Sequence, residues 1–132
     1  MHSVYGTDLE DTVDILNILH HINSVKPKTT SFISSPVSTD ETVPLTVSCI
    51  SNGSRPAATI QWTIGQTDVT LHSTTDKPHV TDDETYTLIS TLTYNVDRTY
   101  NGETITCKAL NIVAPNGVQT STSLDVKCKC HV

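Results

Sequence analysis

Leu45-Thr46-Val47-Ser48-Cys49, Ile60-Gln61-Trp62-Thr63-Ile64 and Ile105-Thr106-Cys107-Lys108-Ala109 decide the fold, because each alternates apolar and polar side chains around a cysteine or a tryptophan. Successive side chains of an extended chain point to opposite faces, so Leu45, Val47 and Cys49 share one face, Ile60, Trp62 and Ile64 another, and Ile105 and Cys107 a third. Thr46, Ser48, Gln61, Thr63, Thr106 and Lys108 then face outward. Three half-buried strands with Cys, Trp and Cys on their inner faces predict an all-β protein whose core forms around those side chains.

A chain of 132 residues is long enough for one such core and too short for two. Its composition is 36% hydrophobic and only 5% aromatic, and Ser and Thr are abundant, a mix that suits polar outer strand faces. The net charge is −6, and the 8 Lys and Arg residues form no cluster, which excludes nucleic acid and anionic membrane surfaces as partners. No apolar run reaches the length of about eighteen residues that spans a bilayer, so this segment itself makes no membrane contact.

Residues 1–25 stand apart from the rest. Asp8, Glu10 and Asp11 precede Val13, Ile15, Leu16, Ile18, Leu19 and Ile22, a spacing that predicts a short amphipathic helix, with a β-rich segment or a non-native leader as alternatives. The stretch lacks a basic start and is interrupted by Asp14 and Asn17, so it does not read as a secretory peptide. The chain is therefore expected to be a piece of a longer ectodomain. Lys26-Pro27-Lys28 marks the start of the domain proper, residues 26–127, since proline and its predecessor favour extended backbone. Within it Thr29 to Ser35 is expected as an edge strand broken by Pro36, Ser38 to Thr42 as a polar turn, and Val43 to Ile50 as the strand of Cys49.

Ser51-Asn52-Gly53-Ser54-Arg55-Pro56 is dense in turn formers and predicts an exposed connection, which would place Asn52 as an N-glycan acceptor on a loop. Val69 to Ser73 is expected as a strand and Thr74 to Glu84 as a polar passage. In Tyr86, Leu88, Ser90, Leu92, Tyr94 and Val96 every second residue is apolar except Ser90, which reads as an interruption, leaving Leu92, Tyr94 and Val96 as core positions. Ala114-Pro115-Asn116-Gly117 predicts a hairpin tip, and Leu124 and Val126 face inward on the last strand. The expected core is Trp62, Leu45, Val47, Ile60, Leu92, Tyr94, Ile105, Leu124 and Val126.

A tryptophan soon after one strand cysteine, with a second cysteine far downstream, resembles the immunoglobulin pattern. That resemblance implies an antiparallel β-sandwich of about seven strands, with Cys49 and Cys107 joined in one inter-sheet disulfide on which Trp62 packs. Thr87-Leu88-Ile89-Ser90-Thr91-Leu92-Thr93-Tyr94-Asn95-Val96, followed by Asn101-Gly102-Glu103-Thr104-Ile105-Thr106-Cys107-Lys108-Ala109-Leu110-Asn111, is similar to the C2-type domains of nephrin, its invertebrate relatives and nectin-like adhesion receptors. The likeness covers about residues 27 to 127. One departure stands out: many immunoglobulin domains carry a tyrosine two residues before the second cysteine, where this chain has Ile105, so the corner there must be held otherwise, through the Asn101-Gly102 turn.

No catalytic or cofactor motif is present: no phosphate-binding glycine loop, nucleophile elbow or His-Glu-x-x-His helix. Asp82-Asp83-Glu84 reads as a solvated loop rather than a calcium site. His2, His20, His21, His72, His79 and His131 lack metal-site spacing, and Cys128-Lys129-Cys130-His131 lacks the second ligand pair that zinc requires. In the tail, residues 128–132, Cys128 and Cys130 sit too far apart on an extended chain to bond comfortably and are expected as thiols for a neighbouring domain, another copy, or no native partner. The resemblance implies a non-catalytic extracellular module of a cell-adhesion or recognition receptor, part of a membrane-anchored ectodomain, acting as a spacer or binding other immunoglobulin-superfamily domains or cell-surface proteins without a cofactor. The expected binding face is Gln61, Thr63, Thr106 and Lys108. The alternative is a secreted soluble immune-type ligand-binding effector.

Overall fold

The computed structural model describes residues 23–33 and 37–128. Eleven strand segments follow in chain order: β1 (Thr29–Phe32), β2 (Ser38–Asp40), β3 (Leu45–Ser54), β4 (Thr59–Ile64), β5 (Thr67–Asp68), β6 (Ser73–Thr75), β7 (His79–Val80), β8 (Tyr86–Tyr94), β9 (Thr104–Asn111), β10 (Ala114–Ser123) and β11 (Asp125–Lys127). One antiparallel sheet runs β1-β3-β8-β6, with β7 also on β8; the other runs β10-β9-β4-β5. A short parallel pair, β2 with β11, closes one edge. The expected helix before residue 23, with His20 and His21, the break at Pro36, and Cys130 and His131 of the tail lie outside the described residues, as does His2.

The two sheets are joined by the Cys49–Cys107 disulfide, S–S 2.02 Å with the Cα atoms 6.5 Å apart. Cys49 lies on β3 and Cys107 on β9, one from each layer, and both sulfur atoms are fully buried. Trp62 on β4 is register partner to Cys107 and also fully buried, and the Phe32 ring lies 6.3 Å from the indole across the core. Leu45, Val47, Ile60, Ile64, Leu88, Leu92, Val96, Ile105, Leu124 and Val126 complete the interior, while Tyr94 packs against its edge half-buried. The alternating burial along β3, β4 and β9 follows from the pleat, which sends every second side chain into the space between the layers.

Ser90, the apparent break in the β8 pattern, faces the core with the rest of its row. Its Oγ accepts the indole N–H of Trp62 at 2.9 Å and receives the Thr75 hydroxyl at 3.1 Å. A buried tryptophan carries an N–H donor that is costly to leave without an acceptor, so one polar residue in an apolar row is what the indole demands.

Four expectations are corrected. Residues 51–54 are strand, not loop: β3 runs on to Ser54, and the Asn52-Gly53 pair makes a bulge where the β3–β8 register shifts between Ser51 and Ser54. Gly53 at φ +79° supplies the backbone conformation the extra residue needs, under the Lys28 side chain. The β9–β10 hairpin tip lies at Ile112 and Val113 rather than at residues 114–117, because the Asn111 side chain accepts the Val113 amide at 3.2 Å and closes the turn there. Residues 115–117 instead form an irregularity in β10, between the partners Ala114↔Asn111 and Val118↔Ala109. Ser38 to Asp40 is a strand, and Thr70–His72 is a 3-10 turn that carries the chain from one sheet to the other while Val69 plugs the core edge.

The Ile105 corner is held by other contacts. Ile105 is fully buried, and the Asn101 side chain accepts the Val126 amide at 2.9 Å while the Gly102 amide donates to the Leu124 carbonyl at 2.8 Å. Tyr100 stacks edge-on against Tyr94, centroids 6.2 Å apart, and Tyr94 in turn against His72 at 4.8 Å. The hydrogen bond with Tyr94 pushes the Tyr100 phenol above its ordinary value. At the opposite end Arg55 gathers the incoming chain: its guanidinium donates to the carbonyls of Asn23, Asp83 and Glu84 at 2.9, 2.9 and 3.0 Å, and its backbone pairs with Val25.

Ser90→Ala is expected to lower stability by about 1–3 kcal/mol, because it strands the indole donor of Trp62 in the core. Ser51→Ala is expected to be neutral or stabilising, because Ser51 Oγ is buried with no hydrogen-bond partner. Urea midpoints at unchanged slope compare the two; a Ser90→Ala midpoint equal to that of the parent would refute the indole argument.

Candidate functional site: the outer face of the second sheet

Gln61 and Lys108 are register partners on β4 and β9, and Thr63 and Thr106 are the next outward pair. The four side chains expected as a binding face therefore form one contiguous block on the outside of the β10-β9-β4-β5 sheet, each half-buried at its base. Pairing extends the block to both sides. Ser121 stands opposite Thr106, Gln119 opposite Lys108, and Asp68 opposite Thr63. The Thr106 and Ser121 hydroxyls are 2.8 Å apart, and Gln61 Nε2 donates to Asp68 Oδ2 at 3.4 Å. Gln119 and Ser121 were not singled out from the sequence, although counting back by twos from the inward Leu124 marks both as outward.

This surface is rich in hydroxyl and amide groups, with Lys108 as its cation and Asp68 as its edge anion. Such a face offers many hydrogen bonds of either polarity and little to a hydrophobic or strongly charged ligand. Among the described residues no group of three or more His, Cys, Asp or Glu could hold a metal ion, and no helix is long and apolar enough to cross a membrane.

Asp68 belongs to a motif that recurs at four turns: Asp40-Glu41-Thr42, Asp68-Val69-Thr70, Asp83-Glu84-Thr85 and Asp97-Arg98-Thr99. In each, the carboxylate Oδ1 accepts the amide two residues on, at 2.9, 2.9, 3.2 and 2.9 Å in that order. The threonine hydroxyl adds a second bond to the same carboxylate in the turns of Asp40, Asp83 and Asp97. Bonds to the ionised form hold the carboxyls of Asp68, Asp83 and Asp97 below the usual range, with the threonine hydroxyl as the largest cause for Asp68 and Asp97. For Asp83 it is the Thr81 hydroxyl, followed by that of Thr85, with a smaller contribution from Lys28, 3.6 Å away. Asp82-Asp83-Glu84 is thus a turn whose central carboxylate is occupied by hydroxyls and an amide.

Asn52 lies on the other sheet. Its Oδ1 accepts the Thr87 hydroxyl at 3.0 Å and its Nδ2 donates to Thr29 at 3.3 Å, which places the residue on a strand instead of the expected loop. Cys128, at the C-terminal edge, is disulfide-bonded. Arg98 Nη1 lies 3.2 Å from its sulfur and Glu41 Oε1 3.7 Å.

Two antiparallel layers pinned by Cys49–Cys107 over a buried tryptophan define an immunoglobulin-type sandwich. The profile of the CD80-like C2-set immunoglobulin domain matches residues 31–111, more than half of the sequence, and the chain belongs to that family. Kin of IRRE-like protein 3 of mouse and of human is 31% identical over 84 residues, covering 64% of this chain. The chain spans 11% of the length of those relatives. Among solved structures, Rst D1-D2 superposes with a TM-score of 0.70 at 20% identity, over 79% of this chain and 51% of that one. The full Ig1–Ig3 ectodomain of mouse nectin-like molecule 4 gives 0.62 at 24% identity, over 80% and 35%. IgNAR antibody domain C3 gives 0.62 at 20% identity, over 78% and 99%. The likeness to nephrin-like and nectin-like C2 domains expected from residues 87–111 agrees with these matches.

Stability is expected to be level near neutrality and to fall as the pH drops below about 4. The folded-state pKa values of Asp68, Asp83 and Asp97 are depressed, so their contribution is complete above the ordinary carboxylate value and lost as the pH descends from there toward the lower folded one. Urea titrations from neutral to acid pH check this. Thr85→Val, which keeps the volume but removes a hydroxyl from Asp83, should shrink the acid-dependent loss; an unchanged pH profile in that variant would count against the motif.

Proposed function

We propose that the chain is a non-catalytic extracellular module of a cell-adhesion or recognition receptor, engaging other immunoglobulin-superfamily or cell-surface proteins through the outer face centred on Gln61, Thr63, Thr106 and Lys108. The observation that carries this reading is the 31% identity to Kin of IRRE-like protein 3 over 84 residues, a stretch that is 11% of that protein. The likeness in fold to the Ig1–Ig3 ectodomain of nectin-like molecule 4 supports it. A polar, nearly uncharged sheet surface suits a modest protein contact whose specificity comes from hydrogen bonds.

Asn52 adds to this. A glycan there would project from the β1-β3-β8 sheet and cover that face, leaving the β10-β9-β4-β5 face bare for a partner. The other half of the acceptor motif, Ser54, is 1% exposed in the folded domain, so attachment would precede folding.

The test is a bead or cell aggregation assay with the chain displayed in secreted, oxidised form. Lys108→Glu together with Gln61→Arg is expected to reduce adhesion to itself or to other displayed immunoglobulin proteins, while Thr46→Glu on the opposite sheet is expected to leave it intact. Equal adhesion in all variants would refute the assigned face, and no adhesion by the parent would refute the binding role. Asn52→Gln should lose a glycan-sized mass in secreted material.

A further inference from the structure

The sequence contains Asn-Gly at residues 52–53, 101–102 and 116–117. This dipeptide is prone to a self-reaction in which the glycine nitrogen, unhindered by a side chain, attacks the asparagine side-chain carbonyl carbon. The fold treats the three pairs differently. At Asn52 both ends of the side-chain amide are engaged, by Thr87 and Thr29, and Gly53 is buried in the β3 bulge. At Asn101 the side-chain oxygen accepts the Val126 amide, and the would-be nucleophile, the Gly102 amide, donates to the Leu124 carbonyl. Asn116 is exposed, and among the described residues its side chain makes no hydrogen bond. It also lies in the stretch of β10 that has no register partner on β9.

We propose that Asn116 is a modification site at which the folded domain deamidates spontaneously, placing a new carboxylate beside Lys108, while Asn52 and Asn101 are kept unreactive by their hydrogen bonds. The Gly117 nitrogen gives up its proton to hydroxide and bonds to Asn116 Cγ. The Cγ–Nδ2 bond breaks and the side-chain nitrogen leaves as ammonia, closing a five-membered imide. Water then opens that ring at either carbonyl, giving aspartate or isoaspartate, so one water is consumed and one ammonia released without an oxidant or reductant.

Two features of the site favour this outcome. The Lys108 methylenes pass over Gly117, so the modified backbone lies against the stem of a cationic side chain, and a new negative charge at residue 116 arises next to a residue that carries the opposite charge. Because residues 115–117 are outside the regular ladder, the extra backbone methylene of isoaspartate breaks no registered pair. Lys108 belongs to the outer face described above, so the reaction would change the charge balance of that surface. The proposal itself holds whether or not the face binds a partner.

The experiment is incubation of the folded, oxidised protein in mildly alkaline buffer, followed by peptide mapping and isoaspartyl-methyltransferase labelling. Asn116 is expected to deamidate, with Asn101 and unglycosylated Asn52 at least about fivefold slower, the factor that one net hydrogen bond of ordinary strength supplies. In denaturant the three rates should converge. Asn116→Gln should remove the labelled product from the folded protein. Equal or faster reaction at Asn101 or Asn52 in the folded protein, or a ranking that persists unchanged in denaturant, would overturn the proposal.

Discussion

The Cys49–Cys107 bond, closed over Trp62, is the constraint on which the structure depends. It links β3 in one layer to β9 in the other across a sequence separation of 58, which on the chain-entropy account stabilises the domain by about 4 kcal/mol. Holding the layers at that distance leaves a slot filled by the indole, with Phe32 on one side and the row Leu88, Ser90 and Leu92 on another. The bulk of Trp62 and the polarity of its N–H then determine its neighbours: apolar side chains around the ring and one hydroxyl, Ser90, at the nitrogen. Ser90 meets the indole through that contact and β6 through the Thr75 hydroxyl, and its position in the middle of β8 serves both.

A second consequence concerns the corner before β9. With Ile105 where many immunoglobulin domains place a tyrosine, the site contributes apolar volume and no hydroxyl, and the chain entering β9 is held from outside the core. Asn101 and Gly102 bond to the backbone of residues 124 and 126, and the Tyr100–Tyr94–His72 group braces the same end. The corner is thereby tied to the last strand. In the same way the four Asp-x-Thr turns substitute local carboxylate bonds for core contacts at places where the chain reverses and little apolar surface is available. A domain with 5% aromatic residues relies on such hydroxyl and carboxylate bonds at its margins.

The functional reading follows from what the outer surfaces offer. One sheet presents paired threonine, serine and glutamine side chains around a lysine, and the other carries Asn52 among its own hydroxyls. Among the described residues no group of three or more His, Cys, Asp or Glu could hold a metal ion, and the chain belongs to the CD80-like C2-set immunoglobulin domain family. The matches cover 11%, 35%, 51% and 99% of the chains to which this one is similar.

The sequence by itself determined which side of the strands around Cys49, Trp62 and Cys107 is buried, because a period-two pattern states it; the layered fold and the pairing of the two cysteines came from the resemblance to immunoglobulin domains, and core residues outside those strands, such as Val37, Ala58 and Val69, were not marked by it. It also identified Gln61, Thr63, Thr106 and Lys108 as outward, by the same parity. Only the tertiary structure decided how strands from distant parts of the chain align, and therefore that those four residues form one block and that Gln119, Ser121 and Asp68 join it. It also decided what the asparagine-glycine pairs do. Turn propensity is local and reads Asn52-Gly53 and Asn116-Gly117 as loop tips; in the fold, ladder pairing on both sides carries the strands through them, and the glycines absorb an extra residue as irregularities within β3 and β10. Ser90 shows the same division, since a serine in an apolar row has no meaning until the indole that needs it is seen across the core.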